Sequence, residues 1–216
     1  QLVRFIVEAV ERADTEWGIP PHVPALAIPS AAAEFAGTAL RVIAPEDFPA
    51  GYEIPVVAWV VNGQGRAVRV NGTLEAPGHP SINIKRGVGS GFLATDHPAG
   101  SLNYSPAVKG VQAGKTINVE ATTTWTTVSG TLAGTTTWPA NSRIRVTGHI
   151  GIPAGSTLTV GAGTIVLLNP GVNITNNGSV LINGNIDQPV VFMPQARSQP
   201  WGGFFMQTST GVLNAS

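Results

Sequence analysis

A repeat in the second half of the chain limits its fold more than any other feature of the sequence. Residues 155–161 align with residues 178–184, and the apolar runs 164–168 and 189–193 follow them at a similar spacing. A period of about 22–25 residues, built from short strands with Gly and Asn corners, is typical of a stacked β-solenoid. In a solenoid each coil buries its inward side chains only against the next coil. An ordinary sandwich with a chance repeat is the alternative.

The composition excludes several classes of protein. Hydrophobic residues make up 43% of the 216 residues and charged residues 11%, which excludes a disordered chain. Twelve basic and twelve acidic residues give zero net charge, which argues against a nucleic-acid or anionic-membrane surface. The apolar runs are too short to insert into a membrane. With no cysteine, neither a disulfide framework nor a thiolate metal site can form.

Four segments follow one another along the chain. In residues 1–18, apolar side chains recur at three- and four-residue steps and predict an α-helix. Four prolines in residues 19–37 predict a linker. Short β-rich runs separated by Gly and Pro turns predict an immunoglobulin-like sandwich over residues 38–122. The repeat occupies residues 123–216, so the expected fold class is all-β with a short N-terminal helix.

Within residues 38–122, five runs are expected to be strands: 40–43, 56–61, 67–74, 81–85 and 116–121. Trp59 lies inside one of these runs and is expected in the core of the sandwich. The glycine-rich residues 87–91 do not match the phosphate-binding fingerprint. They are expected to form a turn at the end of a strand, where the backbone must be permissive.

Several motifs in the last segment are familiar. Trp138 precedes a strand, the turn Pro153-Ala154-Gly155 follows, residues 163–166 read Gly-Thr-Ile-Val, and Trp201 is followed by two glycines. These motifs resemble bacterial right-handed parallel β-helix domains, and residues 70–91 are similar to the immunoglobulin-like modules that precede such helices in large secreted surface proteins. Some of these parent proteins carry a kinase-like domain related to spore coat protein H. The resemblance implies an immunoglobulin-like sandwich followed by the first coils of a right-handed parallel β-helix.

The end of the sequence departs from this family. Residues 211–216 fall inside the expected third coil, whereas the family's helices run for many coils. A helix that ended there would expose an unpaired strand edge, which natural proteins usually cover. Either the chain is a fragment or a partner caps the edge.

The solenoid segment offers little for catalysis. Between residues 150 and 216, Asp187 and Arg197 are the only charged residues. The β-helix polysaccharide lyases need a cluster of acids for Ca²⁺ and a base, and glycoside hydrolysis needs two carboxylates. The histidines show no metal-binding or catalytic spacing. We therefore expect no catalytic residue, no metal site and no cofactor.

Trp125, Trp138 and Trp201 are the candidate ligand-binding residues, because an exposed indole stacks on a sugar ring. Trp125 and Trp138 flank the junction of the two domains, and packing the domains together is the alternative that the sequence favours for them. Trp201 is expected at a coil corner. Asparagines cluster in the coils and are expected at turns, with hydrogen bonds from coil to coil: Asn169, Asn173, Asn176, Asn177, Asn183 and Asn185.

The sequence predicts a non-catalytic, extracellular or cell-surface module with a structural or adhesive role. Its expected partner is a polysaccharide or another surface protein, with no nucleic acid. Two other functions stay open. The chain could be the accessory region of a polysaccharide lyase or hydrolase whose active site lies in later coils. It could also be a subunit of a filament or surface layer that self-assembles through the open end of the β-helix.

Overall fold

The structure, a computed structural model, describes residues 38–206 and 211–215, and every regular element in these ranges is a β-strand. The all-β class expected from the sequence is confirmed for this part of the chain. The predicted helix of residues 1–18 and the linker of residues 19–37 lie outside the described residues. Gly37–Ser216 form one compact unit. Among the described residues, no helix is long and apolar enough to cross a membrane.

The first ten strands lie between Ala39 and Glu120, and we name this part the antiparallel region. Two three-stranded sheets, β1-β3-β6 and β2-β10-β7, and two hairpins, β4-β5 and β8-β9, make up the region. All pairings are antiparallel except that of β2 with β10. The strands are β1 (Ala39–Ile43), β2 (Asp47–Pro49), β3 (Ile54–Val61), β4 (Gly72–Leu74), β5 (Ile82–Ile84), β6 (Val88–Leu93), β7 (Gly100–Tyr104), β8 (Ala107–Val108), β9 (Val111–Gln112) and β10 (Lys115–Glu120).

The central strand β3 shows why this region folds as it does. Its side chains alternate, so that Val56, Ala58 and Val60 are buried while the residues between them are partly exposed. Trp59 lies on the outer, half-buried face, and the expectation that it belongs to the core was wrong. The physical reason is the period of two: once its even-numbered neighbours are buried, Trp59 must face the other way.

Most of the expected strands are present in the antiparallel region. The runs 40–43, 56–61, 81–85 and 116–121 correspond to β1, β3, β5 and β10, whereas only Gly72–Leu74 of the run 67–74 is a strand. Gly87 forms the expected turn with a positive φ of 86°. Gly89 and Gly91 instead lie inside β6, where a Cβ would come within 2.6 Å of atoms of β5. These glycines therefore allow β6 and β5 to pack closely.

The remaining ten strands, between Thr126 and Ala215, all pair in parallel, and we name this part the parallel region. One sheet has the order β18-β15-β13-β16-β19, with β11 also paired to β13, and the other has the order β12-β14-β17-β20. The strands are β11 (Thr126–Thr131), β12 (Thr135–Trp138), β13 (Arg143–Ile152), β14 (Thr157–Val160), β15 (Ile165–Leu168), β16 (Asn173–Asn176), β17 (Ser179–Ile182), β18 (Val191–Pro194), β19 (Gly203–Met206) and β20 (Val212–Ala215).

The strand register explains the repeat and corrects its alignment by one residue. Thr157 pairs with Ser179, so that Leu158 lies beside Val180. Aligning residues 155–161 with residues 178–184 had placed Thr157 opposite Val180. Leu158 and Val180 are both buried, and a shift of one residue would turn one of them outward. The inward stacking of apolar side chains therefore sets the register. The Gly residues that guided the alignment are offset from this register by one residue.

Stacked side chains form the core of the parallel region. Trp138 pairs with Val160, and Val160 pairs with Ile182 on the next strand. A second stack joins Ile150 to Ile174 in the same way. The fully or nearly fully buried members of the core are Trp138, Ile144, Val146, Ile150, Ile152, Leu158, Val160, Val166, Leu168, Val172, Ile174 and Val180.

Burial decreases on the last strands of the parallel region. Phe205 and Met206 on β19 and Val212 and Leu213 on β20 are 44–46% exposed. The residues of β16 and β17 with which they pair are covered on both sides by neighbouring strands. Within the described residues, β18, β19 and β20 each have a strand partner on one side alone.

The corner at residues 176–178 is connected to the neighbouring strand β20 through a buried side chain. The Asn176 amide nitrogen Nδ2 donates a hydrogen bond to the Val212 carbonyl oxygen at 3.0 Å, and its Oδ1 accepts one from the Gly178 backbone nitrogen at 3.0 Å. The corner position and the hydrogen bond between neighbouring chain segments that were expected for the asparagines are present at Asn176. Gly178 is constrained as well, because a Cβ there would collide with the carbonyl oxygens of Ser156 and Pro153.

We expect Gly178→Ala to lower the free energy of unfolding by about 1–3 kcal/mol, since the added methyl group must push two coils apart. Gly151→Ala is the matched control, because the atom nearest to a Cβ at Gly151 is the Thr131 hydroxyl oxygen, 4.0 Å away. Chemical denaturation of both variants measures the difference. Equal stability of the two variants would contradict the close packing at Gly178.

Candidate functional site

The structure does not gather the three candidate tryptophans into one site. Trp138 is 4% exposed and belongs to the core of the parallel region, so its ring offers no face to a ligand from solvent. Trp201 lies in the connection between β18 and β19 and packs half-buried against the same core. Trp125 is half-buried and lies just before β11. Of the three, Trp125 has polar and aromatic neighbours that suit a binding site.

Trp125 forms a cluster with one residue from each region. The ring of Tyr52, between β2 and β3, meets the indole edge-on with centroids 5.9 Å apart. The guanidinium carbon of Arg145, on β13, lies 5.5 Å from the centroid of the indole ring. Arg145 Nη2 also donates a hydrogen bond to the Tyr52 hydroxyl oxygen at 3.1 Å. We call these three residues the Trp125 cluster.

Sequence reasoning had selected Trp125 but missed Tyr52 and Arg145. Tyr52 is 73 residues from Trp125 along the chain, and no local pattern connects the two. A signal for Arg145 was present, because it is one of only four charged residues in residues 123–216. A charge that is retained in such an apolar segment indicates a specific contact.

All four of these charged residues contact the antiparallel region. Arg143 binds Glu120, Asp187 pairs with Lys115 at 3.8 Å, and Arg197 pairs with Glu53 at 3.3 Å. Arg145 binds the hydroxyl of Tyr52. The charges of the parallel region are therefore placed where the two regions meet, and we call this set of contacts the junction.

Arg143 makes the most extensive contacts in the junction. Its Nε and Nη2 atoms donate to the two carboxylate oxygens of Glu120 at 3.2 and 2.6 Å, in the two-pronged geometry that makes such pairs strong. Nη1 donates to the Gly163 carbonyl oxygen at 3.0 Å, and Nη2 to that of Asp47 at 3.3 Å. Thr123 adds a hydrogen bond to the same carboxylate at 2.9 Å. The Arg143 side chain is 7% exposed, so the pair is largely removed from water.

The other two ion pairs are more open to solvent. The side chains of Arg197 and Glu53 are 59% and 30% exposed, and Asp187 is 77% exposed. Water screens such pairs, so each contributes little to stability. Arg197 also lies 4.7 Å from the ring centroid of Phe92, which adds a contact with the antiparallel region. Arg143 and Glu120 are therefore the pair on which the junction depends.

A pair of histidines forms a second polar cluster, inside the antiparallel region. The rings of His79 and His97 lie 5.3 Å apart, and His79 meets the buried ring of Tyr104 edge-on at 5.2 Å. Burial lowers the pKa of His79, the neighbouring His97 lowers it further, and Asp96 opposes both effects. Burial raises the pKa of Tyr104. Within residues 38–206 and 211–215, no group of three or more His, Cys, Asp or Glu side chains is arranged to hold a metal ion.

A cavity of about 350 Å³ lies between β1 and the coil that follows β17. Its walls are mainly apolar, and none of its lining side chains can titrate. The lining residues include Ile43, Ile182, Ile186 and Val190. The cavity therefore supplies packing surface and no polar group for chemistry.

Breaking the central ion pair of the junction should destabilise the protein. We expect Arg143→Met to lower the free energy of unfolding by about 3 kcal/mol, because it leaves the partly buried Glu120 carboxylate without its partner. Adding Glu120→Gln should restore part of the loss. The exposed pair serves as the control, and Arg197→Met should cost less than about 1 kcal/mol. Equal losses from Arg143→Met and Arg197→Met in denaturant titrations would contradict this ranking.

The histidine pair predicts a dependence of stability on pH. Because the pKa of His79 is lowered in the folded protein, the unfolded chain binds more protons once the pH falls below about 6.5, and acid then favours unfolding. The stability should therefore fall as the pH is lowered from about 7 through the folded pKa of His79. Denaturant titrations over this range measure the slope.

His79→Gln should reduce that slope, and Asp96→Asn should increase it by removing the carboxylate that favours protonation. Identical slopes for the unmodified protein and His79→Gln would show that another group is responsible.

Comparisons with known proteins add no relative to this description. No protein-family model matches the chain, and no curated protein or solved structure matches it significantly.

Proposed function

We propose that this chain contains an immunoglobulin-like sandwich joined to the first coils of a right-handed parallel β-helix, and that it serves as a non-catalytic structural and adhesive module of an extracellular, modular surface protein. Two three-stranded sheets with alternating burial support the sandwich. Parallel strands that stack coil upon coil around one apolar core support the helix.

The junction is the observation that carries this proposal. Domains joined by a small interface usually move relative to each other. Here each of the four charged side chains of residues 123–216 contacts the antiparallel region, and one of these contacts is a two-pronged, partly buried pair. Such bracing suits a spacer that must hold a binding surface at a constant angle.

The place and partner of the module have separate support. The likeness of residues 130–166 to domains of secreted bacterial surface proteins favours a location outside the cell. The half-buried Trp125 and Trp201 favour a partner with flat apolar faces, such as the sugar rings of a polysaccharide, or another surface protein. Zero net charge does not favour nucleic acid.

If the junction is rigid, the distance between the two regions in solution should have a single, narrow distribution. The chain has no cysteine, so Gln64→Cys on the antiparallel region and Thr137→Cys on β12 give two unique, exposed positions for spin labels. We expect pulsed electron paramagnetic resonance to show one narrow distance distribution. A broad distribution would contradict a spacer of fixed geometry.

Two further variants test the cause of the rigidity. Arg143→Met with Glu120→Gln should broaden the distribution, because it removes the central pair of the junction. Arg197→Gln with Glu53→Gln is the matched control and should leave the distribution narrow, because that pair is largely exposed to water. An equally narrow distribution after loss of the central pair would assign the rigidity to the apolar contacts.

A further inference from the structure

Arg145 differs from the other charged residues of the parallel region in its partner, which is a neutral hydroxyl group. Arg143, Asp187 and Arg197 each pair with a side chain of opposite charge. Within the described part of the chain, Arg145 has no carboxylate partner and makes one side-chain hydrogen bond, to the neutral Tyr52 hydroxyl. A partly buried cation without a counter-charge is costly unless something binds it.

The hydrogen bonds of Arg145 are also incomplete. Its Nε atom is buried and has no partner in the described structure, whereas the three nitrogens of the neighbouring Arg143 guanidinium all donate hydrogen bonds. Both arginines lie on β13, two residues apart, and face away from the core that Ile144 and Val146 enter. The two residues therefore share a face of the strand, but only Arg143 is fully satisfied by the protein.

The neighbours of Arg145 show which kind of anion would fit. Trp125 and Tyr52 supply aromatic surface, which binds the C–H face of a sugar ring. Thr126 and Thr127, which follow Trp125, are exposed and supply hydroxyl groups. Because Arg145 Nε is shielded from solvent, a carboxylate would bind the edge formed by the two Nη atoms, in the planar, two-pronged geometry that a guanidinium group favours. A sugar that carries a carboxylate matches all three features.

We infer that the Trp125 cluster is a subsite for a uronic acid residue of an acidic polysaccharide. Arg145 binds the carboxylate, and Trp125 packs against the sugar ring while Tyr52 positions the guanidinium group. The inference rests on the adhesive role proposed above and names the ligand class for it. No bond is made or broken, so the subsite needs no metal, base or nucleophile.

Titration calorimetry of the full chain with a short oligogalacturonide tests this subsite. The fully methyl-esterified oligosaccharide is the matched ligand, because it keeps the sugar rings and loses the charges. We expect the acid to bind. The ester should bind at least about tenfold more weakly, because it cannot form the charge-assisted hydrogen bonds with the guanidinium group. Equal binding of acid and ester, or no binding of the acid, would overturn the inference.

Variants locate the binding at Arg145. Arg145→Gln should weaken oligogalacturonide binding at least about tenfold, whereas Arg197→Gln, which removes the same charge at an ion-paired position, should leave it within about twofold. Circular dichroism and denaturant titration check that each variant folds. Arg145→Lys, which keeps the charge but not the two-pronged donor, serves if the Gln variant is unfolded, and it should also bind more weakly. Unchanged binding in the folded Arg145 variant would overturn the inference.

Two further results separate a carboxylate subsite from general anion attraction and from a purely structural role. Binding of dextran sulfate as tightly as the oligogalacturonide would show general attraction of anions and would overturn the carboxylate subsite. Failure to bind any oligogalacturonide, together with a narrow spin-label distribution, would remove the subsite but leave the structural role in place. A broad spin-label distribution would remove the structural role itself, so the two proposals fail by different measurements.

Discussion

The Arg143–Glu120 pair is the interaction on which the rest of the structure depends. Glu120 ends β10 and Arg143 begins β13, so their two hydrogen bonds connect the last strand of the antiparallel region to the longest strand of the parallel region. A guanidinium group that is 7% exposed must have its donors satisfied, and the carbonyl oxygens of Asp47 and Gly163 complete this requirement. One side chain thereby connects two sheets and the turn that precedes β15.

The Trp125 cluster is a consequence of that orientation. Alternation along β13 sends Ile144 and Val146 into the core and leaves Arg143 and Arg145 on the opposite face. Once Arg143 is held against Glu120, Arg145 reaches Tyr52, which comes from a loop on the other side of the junction. The candidate subsite is therefore built from both regions, and neither region contains it alone.

Much of the strand content could be read from the sequence, because β-branched runs and period-two alternation are local. The same locality caused the errors. Trp59 was assigned to the core because it lies inside an apolar run, whereas the alternation of its neighbours places it on the other, half-buried face of the strand. The repeat was aligned on its glycines, whereas the burial of Leu158 beside Val180 sets a register one residue away. Tyr52 could not be found at all, since it meets Trp125 only in three dimensions.

The sequence by itself determined that residues 38–206 and 211–215 form strands around apolar cores, with tight corners at Gly178 and Asn176, because these features depend on local patterns of side-chain size and polarity. The tertiary structure alone decided which charged residues meet. Each of the four charged side chains in the last 94 residues contacts a side chain more than 20 residues away in the sequence. The partners of a charged side chain depend on which groups lie near it in space. Arg145 therefore lies beside two aromatic rings and has no carboxylate partner among the described residues.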